Sequence, residues 1–129
     1  MSSNTKLTNQ QILQYKEQGY LVPDYQLPEE LLQKMRTAYD SLLENNAALG
    51  SDFLLGPHLE KSGTQGVKGA GEWFEFATHP DLMEMAAQLI GEDIILWGTT
   101  IFGKPAKSGK GTPWHQDGDY YPIRPLETM

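Results

Sequence analysis

Near its C-terminal end the chain reads Trp114-His115-Gln116-Asp117-Gly118-Asp119-Tyr120-Tyr121-Pro122. No other segment restricts the available folds as strongly. In an extended strand, side chains i and i+2 leave the same face. His115 and Asp117 can therefore converge on one metal ion while Gln116 points away between them. An imidazole and a carboxylate on one strand supply two of the three donors of the 2-His-1-carboxylate face. That face holds non-haem Fe(II) and leaves positions open for substrate and oxygen. Trp114, Tyr120 and Tyr121 are placed to wall a pocket, and Gly118 lets the backbone turn at the strand end. A His-x-Asp pair is also an ordinary hydrogen-bonded surface pair, and both readings stand at this point.

The rest of the composition narrows the ligand set. The chain has no cysteine, so disulfides and thiolate metal sites are excluded, and any metal must be held by carboxylates and by His58, His79 or His115. A formal charge of -7 argues against nucleic acid and against an anionic membrane surface. The opening residues Met1 to Lys6 lack the apolar run of a signal peptide. No stretch approaches the roughly 20 apolar residues of a transmembrane helix. A cytoplasmic protein with a single domain over residues 1–129 is expected.

Read in order, the chain opens with a helix. Thr8 is a good N-cap and Gln11 completes a capping box. Gly19 supplies the stop. Tyr20-Leu21-Val22 reads as a short strand halted by Pro23. Pro28, Glu29 and Glu30 suit the first turn of a second helix. Leu31, Met35, Ala38, Tyr39 and Leu42 form its apolar stripe as far as about Asn45. Residues 46 to 72 are punctuated by glycines and read as a long loop, with a short strand around Phe53-Leu54-Leu55. His58 reads as a solvated loop residue. Trp73 to Phe76 is an apolar patch. His79 reads as a cap or surface residue before a helix over 80–90, with Leu82, Ala86 and Leu89 inward and Gly91 at its end.

Residues 94 to 104 are largely apolar, as in a strand covered on both faces. Lys104-Pro105 ends it, and a turn follows to Thr112. Ser108-Gly109-Lys110 is not a phosphate-binding P-loop. Lys104 stands where the first glycine belongs, and Gly111 stands where Ser or Thr must follow the lysine. The loop is basic and reads as a solvated hairpin tip.

The order of these features resembles the phytanoyl-CoA dioxygenase family, Fe(II)- and 2-oxoglutarate-dependent oxygenases. The resemblance rests on Ile94 to Pro105, then Ser108 to Pro113, then His115-Gln116-Asp117 through Pro122-Ile123-Arg124-Pro125. It runs from about Thr8 to the last residue and covers only the front half of such a domain. It implies an α+β fold in which N-terminal helices pack on an incomplete double-stranded β-helix, a jelly-roll or cupin-like core. It implies that His115 and Asp117 are metal ligands, that Gln116 and Thr100 contact 2-oxoglutarate, and that Tyr120 and Tyr121 line the pocket. Either Lys61 or Lys68 would reach the co-substrate. The partners would be a small organic substrate, 2-oxoglutarate and O2. The reaction couples oxidative decarboxylation of 2-oxoglutarate to hydroxylation of a C–H bond.

The chain departs from that pattern after Asp117. No downstream His follows, and Arg124 lies too near the motif to match the family's distal arginine. The expectation is therefore the N-terminal part of a dioxygenase domain, truncated after the His-x-Asp motif and inactive by itself, whose full-length form is the enzyme. Two rivals are a non-catalytic barrel-type binding module and an acidic α+β interaction domain without metal. Substrate and oligomeric state are not legible.

Overall fold

The first helix, α1 (Asn9–Gln18), is fixed at both ends by the residues that predict it. The Thr8 hydroxyl accepts from the Gln11 N–H at 3.2 Å, and the Gln11 amide oxygen accepts from the Thr8 N–H at 2.8 Å. Gly19 closes the helix in the left-handed region, φ 78°, where a side chain would be strained. The computed structural model describes residues 6–61 and 65–122; Arg124 and Pro125, which entered the resemblance, lie outside them.

Helix α2 (Glu29–Asn45) places Glu29 and Glu30 at its positive end, and Ala38 and Leu42 are buried on its inner face. Leu31, Met35, Tyr39 and Leu43 flank them. A single 3₁₀ turn, Ala47–Leu49, follows. Next come strand β1 (Leu54–Leu55), helix α3 (Glu72–Ala77), helix α4 (Pro80–Ile90) and strand β2 (Thr100–Ile101). A second 3₁₀ turn, Asp117–Asp119, comes last among the described residues. Helix α1 packs on α4, and α2 packs on α3. Strands β1 and β2 pair antiparallel, Leu54 opposite Ile101 and Leu55 opposite Thr100. Bonds from Gly56 N–H to the Thr99 carbonyl and from Gly103 N–H to the Ser51 carbonyl, both 2.9 Å, extend the pairing. Gly103 is required there, because a Cβ would stand 2.8 Å from the Ser51 carbonyl oxygen.

One core joins the helices to this strand pair. Ala38, Leu42, Leu54, Val67, Trp73 and Phe76 cluster, with Ile101 and Ala70 against them. Trp73 and Phe76 meet edge to face, ring centroids 5.5 Å apart. The glycine-rich loop is pinned under the core by one buried amide. Asn46 donates to the Leu42 and Lys68 carbonyls, at 2.8 and 3.0 Å, and accepts from the Lys68 N–H at 2.8 Å. Asn46→Ala leaves those groups without their partner and is expected to cost about 2 kcal/mol, read by urea denaturation. A loss below about 0.5 kcal/mol would show that water replaces the amide at little cost.

The start of the chain is tied down by Gln88, whose amide exchanges bonds of 2.8 and 3.1 Å with the Leu7 backbone. Tyr25 donates to Asp81 at 2.7 Å. Desolvation, then that bond, pushes the Tyr25 phenol up to about 12. The folded state holds this proton more tightly than the unfolded chain, whose phenol titrates near 10.0. The contribution is therefore complete below pH 10 and lost as pH rises toward 12. An alkaline unfolding series should show that loss in the parent and not in Tyr25→Phe.

Several expectations need correction. Tyr20-Leu21-Val22 is not a strand: Tyr20 and Val22 are 61% and 81% exposed, and no neighbouring strand satisfies that backbone. Within the stretch 94–104 regular strand covers only Thr100–Ile101, with single backbone bonds at Thr99 and Gly103 beyond it. Trp73 to Phe76 lies in a helix. In α4 the fully buried residues are Met85 and Ala86, with Leu82 and Leu89 half-buried. No helix among the described residues is long and apolar enough to cross a membrane.

Candidate metal centre

Pro105 to Pro113 carries the chain from β2 into the His-x-Asp segment without regular structure. Gln116 is extended, φ -116° and ψ 122°, so its neighbours leave the same side. His115 Nε2 and Asp117 Oδ1 accordingly meet at 3.0 Å. Asp117 then opens the 3₁₀ turn, whose first bond runs from the Tyr120 N–H to the Asp117 carbonyl at 2.9 Å. The expected strand is therefore not formed: His115 lies in an extended segment without a strand partner among the described residues, and Asp117 begins the turn that ends it. Tyr120 turns its ring edge toward His115, centroids 6.0 Å apart.

The imidazole is oriented from behind. His115 Nδ1 lies 2.8 Å from the Pro113 carbonyl, which can only accept, so Nδ1 carries the hydrogen. Nε2 is thereby the atom presented to Asp117. At this distance a ring protonated at both nitrogens donates from Nε2 to the Asp117 carboxylate. The Pro113 carbonyl first, and the Asp117 carboxylate second, raise the His115 pKa above the ordinary imidazole value. A metal ion at Nε2 displaces that proton, so metal and proton compete there.

The donor set fits a hard or borderline divalent ion. Two donors about 2.1 Å from a metal at a right angle stand about 3.0 Å apart. The observed separation equals such a bite, and equals that of a hydrogen-bonded imidazolium–carboxylate pair. The backbone carbonyl behind the ring is the outer partner that metal-bound histidines use to fix their tautomer. Both side chains are accessible, at 42% and 64% exposure. Among the described residues no group of three His, Cys, Asp or Glu side chains could hold a metal, so the pair has no third donor of those types there.

The other candidates are placed as follows. Thr100 lies on β2 opposite Leu55 and is half-buried; Gln116 is exposed. Neither side chain forms a hydrogen bond among the described residues. Trp114 is fully exposed and Tyr120 is 72% exposed, so they line an open face rather than an enclosed pocket. Trp97, which sequence reasoning passed over, meets half-buried Tyr121 at a tilt, ring centroids 6.1 Å apart, and brings its segment beside the motif. Its place in an apolar run gave no sign of that contact. His58 is not solvated: its Nδ1 lies 2.7 Å from the Thr99 hydroxyl, next to Thr100. His79 caps α4, accepting from the Asp81 N–H at 3.4 Å. Lys68 is fixed through its backbone by Asn46, and Lys61 is exposed. Two surface grooves, one along α2 and one beneath α1, include no residue of the motif.

The comparisons with known proteins agree with one another. A family model described as phytanoyl-CoA dioxygenase (PhyH) matches residues 15–129. The human peroxisomal phytanoyl-CoA dioxygenase is 28% identical over 140 residues, which take in 98% of this chain and 41% of the human protein. The bovine peroxisomal protein is 26% identical over 140 residues, 98% of this chain and 42% of its own length. A probable phytanoyl-CoA dioxygenase of Caenorhabditis elegans is 24% identical over 131 residues, 88% of this chain and 42% of its own length. The chain thus spans about two fifths of the length of these curated relatives. No solved structure matches it significantly.

Proposed function

The chain belongs to the phytanoyl-CoA dioxygenase family, and from that membership we propose that it carries the first two metal ligands of an Fe(II)- and 2-oxoglutarate-dependent oxygenase acting on a small organic substrate. The observation that carries this reading is the 3.0 Å convergence of His115 Nε2 and Asp117 Oδ1, with the ring oriented by Pro113.

In this reading β1 and β2 belong to a double-stranded β-helix. The third ligand and the arginine that pairs with 2-oxoglutarate come from the part of the relatives that these residues do not span. Bound there, iron with 2-oxoglutarate supplies the oxidising chemistry for hydroxylation. His115 offers a neutral Nε2 while Pro113 holds its other hydrogen. Asp117 contributes the anionic donor and offsets part of the metal charge. Gln116 and Thr100 contact the co-substrate, with one of Lys61 or Lys68. Tyr120 and Tyr121 give substrate an aromatic wall on the open side of the pair. The 129 residues alone are expected to bind metal weakly and not to turn over.

The test is succinate release from 2-oxoglutarate by a full-length protein, with and without added Fe(II). Iron-dependent release that stops in the Asp117→Ala form supports an oxygenase. A full-length protein with no further His ligand, releasing no succinate across a broad substrate panel, supports a non-catalytic barrel instead.

A further inference from the structure

The turn Gly56-Pro57-His58-Leu59 has no part in the chemistry proposed for the site, yet the segments carrying Thr100, Lys61 and Lys68 all join it. Gly56 holds φ 71°, a conformation that favours glycine, and its carbonyl accepts from the Leu59 N–H at 3.0 Å. Pro57 is fully buried, and its carbonyl accepts from the Ala70 N–H at 2.8 Å. Gly69 packs so closely that a Cβ there would overlap the Pro57 and Leu59 carbonyl oxygens. The turn is therefore fixed on one side by the loop that carries Lys68, and Lys61 follows two residues beyond it.

On the other side it grips Thr99 twice. The Gly56 N–H donates to the Thr99 carbonyl at 2.9 Å, and His58 Nδ1 lies 2.7 Å from the Thr99 hydroxyl. Holding both the backbone and the side chain of one residue fixes its orientation as well as its place. His58 and Thr99 are both half-buried, so water competes for the bond only in part. Thr99 immediately precedes Thr100, and residues 94–99 form no regular structure. Two residues before Thr99, Trp97 meets Tyr121. A shift of Thr99 therefore displaces Thr100 on one side and Trp97 on the other.

Resting on the oxygenase reading above, we infer that His58 is a positioning residue for the 2-oxoglutarate site: its Nδ1 bond to the Thr99 hydroxyl sets the direction of Thr100 relative to the lysines. His58 acts through Thr99 and touches neither metal nor co-substrate. Thr100 and the lysines come from segments far apart in sequence. The bond orders them before the co-substrate arrives, so less ordering has to accompany binding. Losing it leaves that ordering to the binding step, which raises KM and leaves kcat alone.

The experiment measures succinate release by the full-length protein with Fe(II) against 2-oxoglutarate concentration. His58→Phe keeps a flat ring and removes the nitrogen, whereas His58→Asn puts an amide atom where Nδ1 stands. His58→Phe and Thr99→Val should each raise the KM for 2-oxoglutarate about threefold to tenfold, with kcat within about twofold of the parent. The double variant should be no worse than either single one, since both remove the same bond. His58→Asn should bring KM back to within about twofold of the parent. Thr78→Val is the control: it removes a hydroxyl that donates to the Phe74 carbonyl at 2.8 Å at the end of α3, and KM should not change. In the 129-residue chain without metal, His58→Phe should shift the NMR amide signals of Thr99 and Thr100 and the indole signal of Trp97, and His58→Asn should not. Unchanged KM in His58→Phe, additive effects in the double variant, unmoved Thr99 and Thr100 signals, or a lowered melting temperature as the sole change would each overturn the assignment. With iron-dependent succinate release intact in the parent, those outcomes leave the oxygenase reading standing. A parent that releases no succinate removes the oxygenase reading, and the positioning role falls with it.

Discussion

Asp117→Ala is expected to lower the Co(II) affinity of the chain at least about tenfold, measured by absorbance or calorimetric titration. Losing an outer partner of a metal ligand commonly costs 10- to 100-fold, and Asp117 is placed as a ligand itself. With it gone, His115 faces the ion without its anionic partner. Asp117→Asn tests the charge separately from the shape and should also bind weakly. The substitution should leave the Pro113 bond to His115 in place, because that bond depends on neither Asp117 nor metal. The imidazole of the variant should therefore still titrate above its ordinary value, though closer to it, since the carboxylate is the lesser favourable cause. A variant that binds Co(II) as the parent does would reduce the 3.0 Å contact to a surface ion pair.

Leu54→Ala is expected to destabilise the fold by about 2–5 kcal/mol, the usual range for a buried leucine cut to alanine. Leu54 is completely buried, in the same core as Leu42, Val67, Trp73 and Phe76. It stands opposite Ile101 across the strand pair, so the cavity would open between the helices and β2. A domain of this size has typically about 5–15 kcal/mol in hand, so the loss takes a large share of the total. The adjacent Leu55 faces outward at 36% exposure, and Leu55→Ala should cost well under half as much. Urea midpoints with unchanged slopes would record both. Equal losses at the two positions would mean that the strand pair does not form the floor of the core.

Elements defined by local chemistry were legible in the sequence. The Thr8–Gln11 box and Gly19 bracket the ten residues of α1, and the stripe of α2 repeats often enough to be counted. Helix α4 was bounded by Pro80 and Gly91, though its inward face falls on Met85. Helix α3 was hidden because six residues rich in Trp and Phe are too few to show a period. The extent of pairing in 94–104 was also hidden, since a strand's length is set by a partner far along the chain. The same holds for His58, whose neighbour Thr99 is 41 residues away. The site divides in the same way. Convergence of His115 with Asp117 follows from the two-residue strand period. The Pro113 carbonyl behind His115 and the contact of Trp97 with Tyr121 depend on how the loop folds back.

Substoichiometric Co(II) added to isotopically labelled protein, followed by amide and imidazole NMR, puts the shared-metal geometry to its most direct test. Signals from His115 to Tyr121 should broaden before any others, and the His115 ring should be affected first at Nε2. Broadening that begins at His58 or His79, or that spreads evenly over the acidic surface, would contradict it.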